Sequence, residues 1–393
     1  MRNNMRMTKL ILACATCGLA LSQAALADWP MYQGDPVHSG LVTNLDRQVE
    51  FPWARPGKTI YAVQVGEDIT SGAAYANGRF YFGLWQDKVD YFAALEASSG
   101  DLAWKVKVGG KVMAPPVIVG DRIYFGADDW CFYAMDLEGE IAWKFATRDV
   151  IRASAAVAEG RVFFGSFDGT FYALDALEGT LLWKKETRRA IATAPVVSQG
   201  VVYFGSDDEH LYALDAASGR ELWKFDTRHF VVSSPALQDG RLYFGNSSGT
   251  VFCLKAGDGT LAWKHQTRGE AVESAPVVDG DTVYVVAAPH GVCALEALTG
   301  KLKWQEKKEY LSADIIAAEG VLYVSDYNNG LRSVEAATGL ELQSLDDSDR
   351  DVTDAPPVLV NGRIYYFSHG GVANCLVAGR PVNEFSETEL LDR

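Results

Sequence analysis

The sequence is short of basic residues. Its 36 Lys and Arg stand against 51 Asp and Glu, which gives a formal net charge of -15 at pH 7, and no long basic run offsets this excess locally. A surface of that sign repels the phosphate backbone of a nucleic acid. General nucleic-acid binding is therefore excluded as a function.

Long apolar runs are missing from all but the N-terminus. There, Arg2, Arg6 and Lys9 precede an apolar stretch at residues 10–21, and a small-residue cleavage pattern ends at Ala27. This is the arrangement of a signal peptide. We predict that residues 1–27 are cleaved off and that the protein is exported, to the periplasm or the medium. No other run is long enough to span a bilayer.

Residues for metal binding and nucleophilic catalysis are scarce. The six histidines are scattered without metal-ligand spacing, and no Gly-x-Ser-x-Gly elbow is present. The sequence therefore predicts no metal site and no catalytic residue. Among the six cysteines, Cys14 offers an alternative signal cleavage with a lipid anchor. Only four apolar residues separate it from Lys9, fewer than the roughly seven that a signal core needs, so any membrane association is expected to be indirect.

A repeated unit is what the sequence does contain. An aromatic residue follows a turn glycine eight times, at Tyr81, Tyr124, Phe163, Tyr203, Tyr243, Tyr284, Tyr323 and Tyr365. A second marker, a turn glycine followed four places later by tryptophan, gives Trp104, Trp143, Trp183, Trp223, Trp263 and Trp304. A period near 40 residues predicts a solenoid, a propeller or an array.

Each repeat contains four predicted strands, which are clearest at residues 191–198, 201–205, 211–215 and 221–225. The connections are only a few residues long, so neighbouring strands form antiparallel hairpins and no crossover helix intervenes. Such units are typical of propeller blades, which bury their faces against one another. The predicted fold is all-β, a monomeric eight-bladed β-propeller of four-stranded antiparallel blades.

The last repeat lacks its tryptophan strand, while an extra strand-like segment at residues 49–53 precedes the first repeat. An open sheet edge is an aggregation hazard. We therefore predict that the segment around Trp53 completes the eighth blade and latches the ends of the chain together. The predicted organisation is a signal peptide at 1–27, an irregular lead-in at 28–48, the propeller at 49–380 and a tail at 381–393.

The cysteines beyond the signal peptide are Cys131, Cys253, Cys293 and Cys375. Each falls in the third predicted strand of a different repeat. Equivalent strands of different blades lie too far apart for disulfides, whose Cα atoms must approach within about 7 Å. We therefore expect four free thiols.

The pattern Ala-Leu-Asp-Ala-x-x-Gly-x-x-x-Trp, seen at residues 173–183 and 213–223, resembles the repeat of pyrroloquinoline-quinone-type propellers. The resemblance covers residues 69–378. It implies that each tryptophan docks on the neighbouring blade. Within this group the chain looks like the BamB-type outer-membrane assembly factors, which implies a non-catalytic periplasmic scaffold without a cofactor.

The connections that lead from one repeat to the next carry a Thr-Arg pair at a step of 40 residues, and should share one face of the ring with the loops between second and third strands. This face gives the candidate partner-binding residues Arg148, Arg188, Arg228, Arg268, Asp208, His210, Trp130 and Tyr327. In one interpretation each arginine pairs with a neighbouring aspartate and ties blade to blade. In the other, the arginines form a surface for an extended peptide or an anionic partner.

Three functions follow from these patterns. The first is a scaffold that binds a protein partner, possibly from the β-barrel assembly machinery, through this face. The second is a quinone-dependent dehydrogenase, but the adjacent cysteines, the extra length and the calcium ligands that the resemblance implies for such enzymes are not found. The third is a carbohydrate-binding propeller, in which Trp85, Trp130 and Tyr327 would stack on sugar rings from loops.

Overall fold

The computed structural model describes residues 41–42, 59–268, 270–306, 308, 313–326, 330–344, 357–360, 363–368 and 370–377. They form eight β-sheets, each the blade of a propeller, and the predicted fold class is confirmed. We number the blades 1 to 8 in chain order and call the four strands of each blade inner, second, third and outer. Within the described residues there is no helix of the length and apolarity that a membrane crossing requires.

The strands of the eight blades are short and similar in length. The inner strands are Ala74–Ala76, Val117–Val119, Ala156–Ala158, Val196–Ser198, Ala236–Gln238, Val277–Asp279, Ala313–Ala318 and Val358–Val360. The second strands are Arg79–Gln86, Arg122–Gly126, Arg161–Gly165, Val201–Gly205, Arg241–Gly245, Thr282–Val286, Val321–Asp326 and Arg363–Phe367. The third strands are Val89–Glu96, Cys131–Asp136, Thr170–Asp175, His210–Asp215, Thr250–Lys255, Val292–Glu296, Gly330–Glu335 and Val372–Val377. The outer strands of blades 1 to 7 are Leu102–Lys107, Ile141–Ala146, Leu181–Glu186, Glu221–Asp226, Leu261–Gln266, Leu302–Gln305 and Glu341–Ser344.

Blade 4 shows the register that most blades share. Val196 lies opposite Tyr203, Tyr203 opposite Ala213, and Ala213 opposite Trp223, so one row of side chains crosses all four antiparallel strands. The pairing shifts by one residue between Ala213 and Leu214. The same shift occurs between the third and the outer strand of each of blades 1 to 7, because the outer strand has one extra residue at this point, a β-bulge.

The core lies between the blades. Phe171 of blade 3 stacks on Phe204 of blade 4 with ring centres 3.9 Å apart and planes 4° from parallel. Both side chains are fully buried. Because each blade offers two apolar faces, removal of a blade would leave both of its neighbours exposed, and this explains why the blades must close into a ring.

The tryptophans of the outer strands contact the next blade. The indole Nε1 of Trp183 donates a hydrogen bond of 3.1 Å to the carbonyl oxygen of Ala216 in blade 4, and Trp223 does the same to Ala256 in blade 5. Equivalent bonds link Trp104 to Leu137, Trp143 to Ala176, Trp263 to Ala297 and Trp304 to Ala336. This is the geometry expected of a docking residue. Trp53 lies outside the described residues.

An N-terminal strand closes the ring, as predicted, but not with the expected segment. The outer strand of blade 8 is Thr59–Gln64, which pairs antiparallel with Val372–Val377. It occupies the position that we predicted for residues 49–53, and these residues lie outside the described ones. At the junction of blades 8 and 1, which we call the seam, Phe80 of blade 1 packs on Tyr365 of blade 8 with ring centres 4.4 Å apart.

Two more short strands from the N-terminal region join the sheets. Asp68–Ile69 pairs with the far end of the second strand of blade 1. Leu41–Val42 runs parallel to the inner strand of blade 7, with Leu41 opposite Ala317. Within the described residues, three segments that precede the inner strand of blade 1 therefore pair with the sheets of the propeller.

The four cysteines of the blades are free thiols, as expected. They lie in the third strands of blades 2, 5, 6 and 8, and all but Cys131 are buried.

Candidate functional site

The blade-to-blade connections and the second-to-third loops meet on one face of the ring, which we call the loop face. The backbone N–H of Thr187 donates to the carbonyl of Gly169 at 2.8 Å, and its hydroxyl reaches the same carbonyl at 2.9 Å. Thr147, Thr227 and Thr267 form the same pair of bonds with Trp130, Glu209 and Gly249. The threonine of each Thr-Arg pair therefore holds the connection to the loop, and the arginine that follows it lies at an exposed position.

The four arginines do not behave alike. Arg148 follows the first interpretation: its Nε lies 3.7 Å from Oδ2 of Asp168, and its NH2 group donates to the hydroxyl of Thr170 at 3.2 Å. Arg188, Arg228 and Arg268 are exposed, and none of them forms an ion pair with a described residue. Three guanidinium groups therefore keep their donors available to solvent or to a partner.

Aspartates of the second-to-third loops fix the base of this face. Asp208 is 8 % exposed, and its Oδ2 accepts a bond of 2.7 Å from the Tyr212 hydroxyl and one of 3.2 Å from the Arg188 backbone N–H. Burial, and then the bond to Asp208, raise the pKa of Tyr212. Asp208 thus tethers the connection that carries Arg188, and its carboxylate is turned inward. The structure gives it a positioning role on this face.

In blade 3, Asp168 tethers the connection that carries Arg148. It accepts bonds from Tyr172 at 2.7 Å and from the Arg148 backbone N–H at 3.1 Å. Burial alone would raise the pKa of Asp168, but the bonds from Tyr172, Arg148 and Thr170 outweigh it, so the pKa lies below its usual value. The carboxylate therefore stays charged and keeps the loop in place.

His210 and Trp130 are also brought to the loop face. Nδ1 of His210 lies 2.8 Å from the Asp208 carbonyl oxygen and 3.4 Å from its Oδ1. Trp130 is 52 % exposed and has a positive φ of 68°, which turns it outward at the loop tip. Tyr327 lies outside the described residues.

Sequence reasoning missed two contacts of this face. Phe230 is 37 % exposed, and the guanidinium of Arg189 lies over its ring at 5.2 Å. Arg152 forms a bidentate pair with Asp128 at 2.8 Å for both bonds. Only their positions next to the Thr-Arg pairs could have drawn attention to them. Together they add one partly exposed aromatic ring and two further guanidinium groups to this face.

Trp85 differs from the expectation. It lies in the second strand of blade 1 and not in a loop, and the ammonium of Lys111 covers its ring at 5.7 Å. A sugar ring would have to displace this cation in order to stack there. Of the three aromatic residues proposed for carbohydrate binding, Trp130 alone is seen exposed in the described part of the chain.

The fold and the repeated tryptophan geometry define the class of protein: an eight-bladed β-propeller built from pyrroloquinoline-quinone-like repeats. Within this class the chain belongs to the family described as "Outer membrane protein assembly factor BamB", which matches residues 39–155, 137–236 and 218–388. The resemblance noted in the sequence is thereby confirmed. A comparison with curated protein sequences finds no match.

Solved structures share the fold at low sequence identity. BamB from Moraxella catarrhalis is 16% identical, with a TM-score of 0.70 over 81% of this chain and 99% of that one. A europium-containing methanol dehydrogenase is 11% identical, with a TM-score of 0.72 over 86% and 89%. Quinohemoprotein alcohol dehydrogenase from Comamonas testosteroni is 13% identical, with a TM-score of 0.71 over 93% and 82%. At these identities the likeness concerns the fold.

The residues present do not fit the quinone and calcium site that the resemblance to dehydrogenases implies. No group of three or more His, Cys, Asp or Glu side chains in the described part of the chain has the geometry to hold a metal ion. The resemblance to quinone-dependent dehydrogenases also implies a tryptophan that stacks beneath the quinone, but the connections that lead into the inner strands of blades 2 to 6 contain no tryptophan, and no two cysteines are adjacent.

Proposed function

We propose that the protein is a non-catalytic scaffold of the periplasm that takes part in outer-membrane β-barrel protein assembly by binding a protein partner on the loop face. The family supports this process, because its description names outer-membrane protein assembly. The observation that carries the proposal is the set of exposed arginines, Arg188, Arg228 and Arg268, which form no ion pair with a described residue.

The chemistry of these groups favours a partner with carboxylates or exposed carbonyl oxygens. A guanidinium group has five donors in a rigid plane and pairs with carboxylates in a bidentate manner. The three arginines follow one another at equivalent positions of blades 3, 4 and 5, and Phe230 lies among them. A partner segment that lies across these connections would meet a basic, partly aromatic surface on a protein whose net charge is negative.

The test is a pull-down from a periplasmic and outer-membrane extract, with the mature protein as bait. We expect an assembly protein to be captured, and we expect Arg188→Glu combined with Arg228→Glu to weaken the interaction at least tenfold, which corresponds to about 1.4 kcal/mol. The loss should grow at low salt, where surface charges act over a longer range.

A matched control separates position from charge. Lys144→Glu combined with Lys264→Glu makes the same charge change on exposed residues of the outer strands, away from the loop face. This double variant should bind like the wild type. Equal weakening by both pairs would refute a specific loop-face site.

The dehydrogenase alternative has its own readout. After incubation with calcium and pyrroloquinoline quinone, the scaffold should show neither a quinone absorption band nor dye-reducing activity. An activity that requires both additions would overturn the non-catalytic proposal.

A further inference from the structure

On the face opposite to the loop face, most blades carry a cation at the start of the second strand, and in blade 1 this cation reaches the neighbouring blade. The second strands of blades 1, 2, 3, 5 and 8 begin with Arg79, Arg122, Arg161, Arg241 and Arg363. In blade 1, Nε of Arg79 lies 2.7 Å from Glu96 of its own blade, and its NH1 group donates to Glu138 of blade 2 at 3.0 Å. The arginine there bridges two carboxylates across the blade boundary.

In blade 6 a lysine of the outer strand supplies the cation. Its second strand begins with Thr282, but Lys303, which precedes the docking tryptophan of the outer strand, donates to the Thr282 hydroxyl at 2.6 Å and to Asp281 at 2.8 Å. Lys303 thus places a cation at the start of the second strand although the arginine is missing, with both of these bonds inside blade 6.

Blade 4 has neither cation. Val201 stands at the arginine position and Leu222 at the lysine position. The two carboxylates are nevertheless kept: Asp215 lies opposite Val201 as Glu96 lies opposite Arg79, and Asp258 precedes a turn glycine of the next blade as Glu138 does. Neither forms an ion pair with a described residue. Blade 7 is not comparable, because blade 8 has no turn between its third and outer strands.

A cavity of about 200 Å³ lies at this boundary between blades 4 and 5. Its walls include Val201, Tyr203, Leu222, the indole of Trp223, and Gly257. A Cβ atom added at Gly257 would meet nothing within 4 Å, so this wall of the cavity has free space in front of it. Val201, which stands where five other blades carry an arginine, therefore leaves the cavity open.

We propose that this cavity binds an arginine side chain presented by a partner protein. The aliphatic stem would pack on Val201 and Leu222, and the planar guanidinium would stack on Trp223 and donate to Asp215 and Asp258. Both carboxylates are ionised at neutral pH, because local hydrogen bonds, from Ser218 to Asp215 and from Thr260 to Asp258, lower their pKa values. These bonds go to Oδ1 of each aspartate and leave Oδ2 for a ligand.

This site lies on the face opposite to the proposed partner surface, so it goes beyond the proposed function and does not depend on it. Occupation of the cavity leaves the loop face accessible. The protein would then hold two partner segments at once, one on each side of the ring.

The test uses the short peptide acetyl-Gly-Arg-Gly-amide and its citrulline analogue, which has nearly the same shape but no charge. The signal is the indole N–H resonance of Trp223 in tryptophan-labelled mature protein, identified by its absence in Trp223→Phe. We expect a saturable shift with the arginine peptide, and a dissociation constant at least tenfold higher for the citrulline peptide.

Two kinds of variant complete the test. Val201→Arg places the chain's own arginine in the cavity and should abolish the shift. Asp258→Asn keeps the hydrogen-bond acceptor of its exposed turn, preserves the fold, and should weaken arginine binding at least threefold. Equal responses to both peptides, an unchanged response in Asp258→Asn, or no shift up to about 20 mM peptide would each overturn the proposal.

Discussion

The contact between a docking tryptophan and the turn glycine of the next blade can be tested with a pair of glycine substitutions. Gly219 has a φ of 71°, and a Cβ atom added there would lie 2.6 Å from ring atoms of Trp183. Gly200 has a φ of 74° in the same blade, but nothing lies within 4 Å of its added Cβ. Gly219→Ala therefore combines backbone strain with a clash, and Gly200→Ala has the strain alone.

The expected losses in the free energy of unfolding follow from the positive φ angles and from the clash. An L-residue in the left-handed region costs about 1–2 kcal/mol, and overpacking of a close contact adds about 1–3 kcal/mol. Gly200→Ala should therefore lower the free energy of unfolding by about 1–2 kcal/mol, and Gly219→Ala by about 2–5 kcal/mol.

Urea denaturation followed by circular dichroism measures both values. In a Trp183→Leu background the ring atoms are gone, so the cost of Gly219→Ala should fall to that of Gly200→Ala. Equal costs for the two substitutions in the wild type, or a Gly219→Ala cost that is independent of residue 183, would refute the docking contact as the reason for glycine here.

Two further predictions concern buried groups. Arg332 is 1 % exposed and pairs with buried Glu306 at 3.6 Å, so Arg332→Met should cost about 3–5 kcal/mol at pH 8. Burial raises the pKa of Glu306 above its unfolded value, and stability from such a group is present at low pH and lost as the pH rises through the folded pKa. Arg332 opposes this shift, so in Arg332→Met the pKa of Glu306 rises further and the carboxylate takes up a proton more readily at pH 5. The penalty of the substitution should therefore shrink at pH 5, and urea midpoints that differ from the wild type equally at both pH values would contradict this. Burial also raises the pKa of the Cys293 thiol to about 12, so in the mature protein this thiol should react with Ellman's reagent only after unfolding. Dithiothreitol should leave the melting temperature unchanged, because the cysteines of the blades are free thiols. Rapid labelling of Cys293 in the native protein would contradict the prediction.

The repeats made most of the fold predictable. A tryptophan every 40 residues identifies the outer strand, and the glycine four places earlier identifies the turn before it, because both serve one contact between adjacent blades. The closing strand was predicted at the wrong residues because it lacks such a pattern. Thr59–Gln64 contains no tryptophan, and its partner lies at the far end of the chain, so no local pattern marks it.

The candidate site was predictable in position but not in detail. Equal spacing suggested four equivalent arginines, yet Arg148 reaches Asp168 and lies 3.9 Å from Glu186, while no ion pair to a described residue forms at Arg188. Arg148 and Arg188 each have an aspartate at the corresponding position of the neighbouring loop, Asp168 and Asp208 respectively. Whether an ion pair forms depends on side-chain rotamers, which the repeat pattern does not encode.

The seam of the ring has a consequence for biogenesis. Gln64 and Gly370 are 306 residues apart and yet share a hydrogen bond of 2.6 Å, so the closing strand Thr59–Gln64 cannot pair until the last strands of the chain have been synthesised. Until then blade 8 has no outer strand, and blades 1 and 8 have nothing to pack on at the seam. A chain truncated near its C-terminus would thus keep a sheet edge and the facing sides of blades 1 and 8 exposed, so a closed propeller requires the complete C-terminal strands.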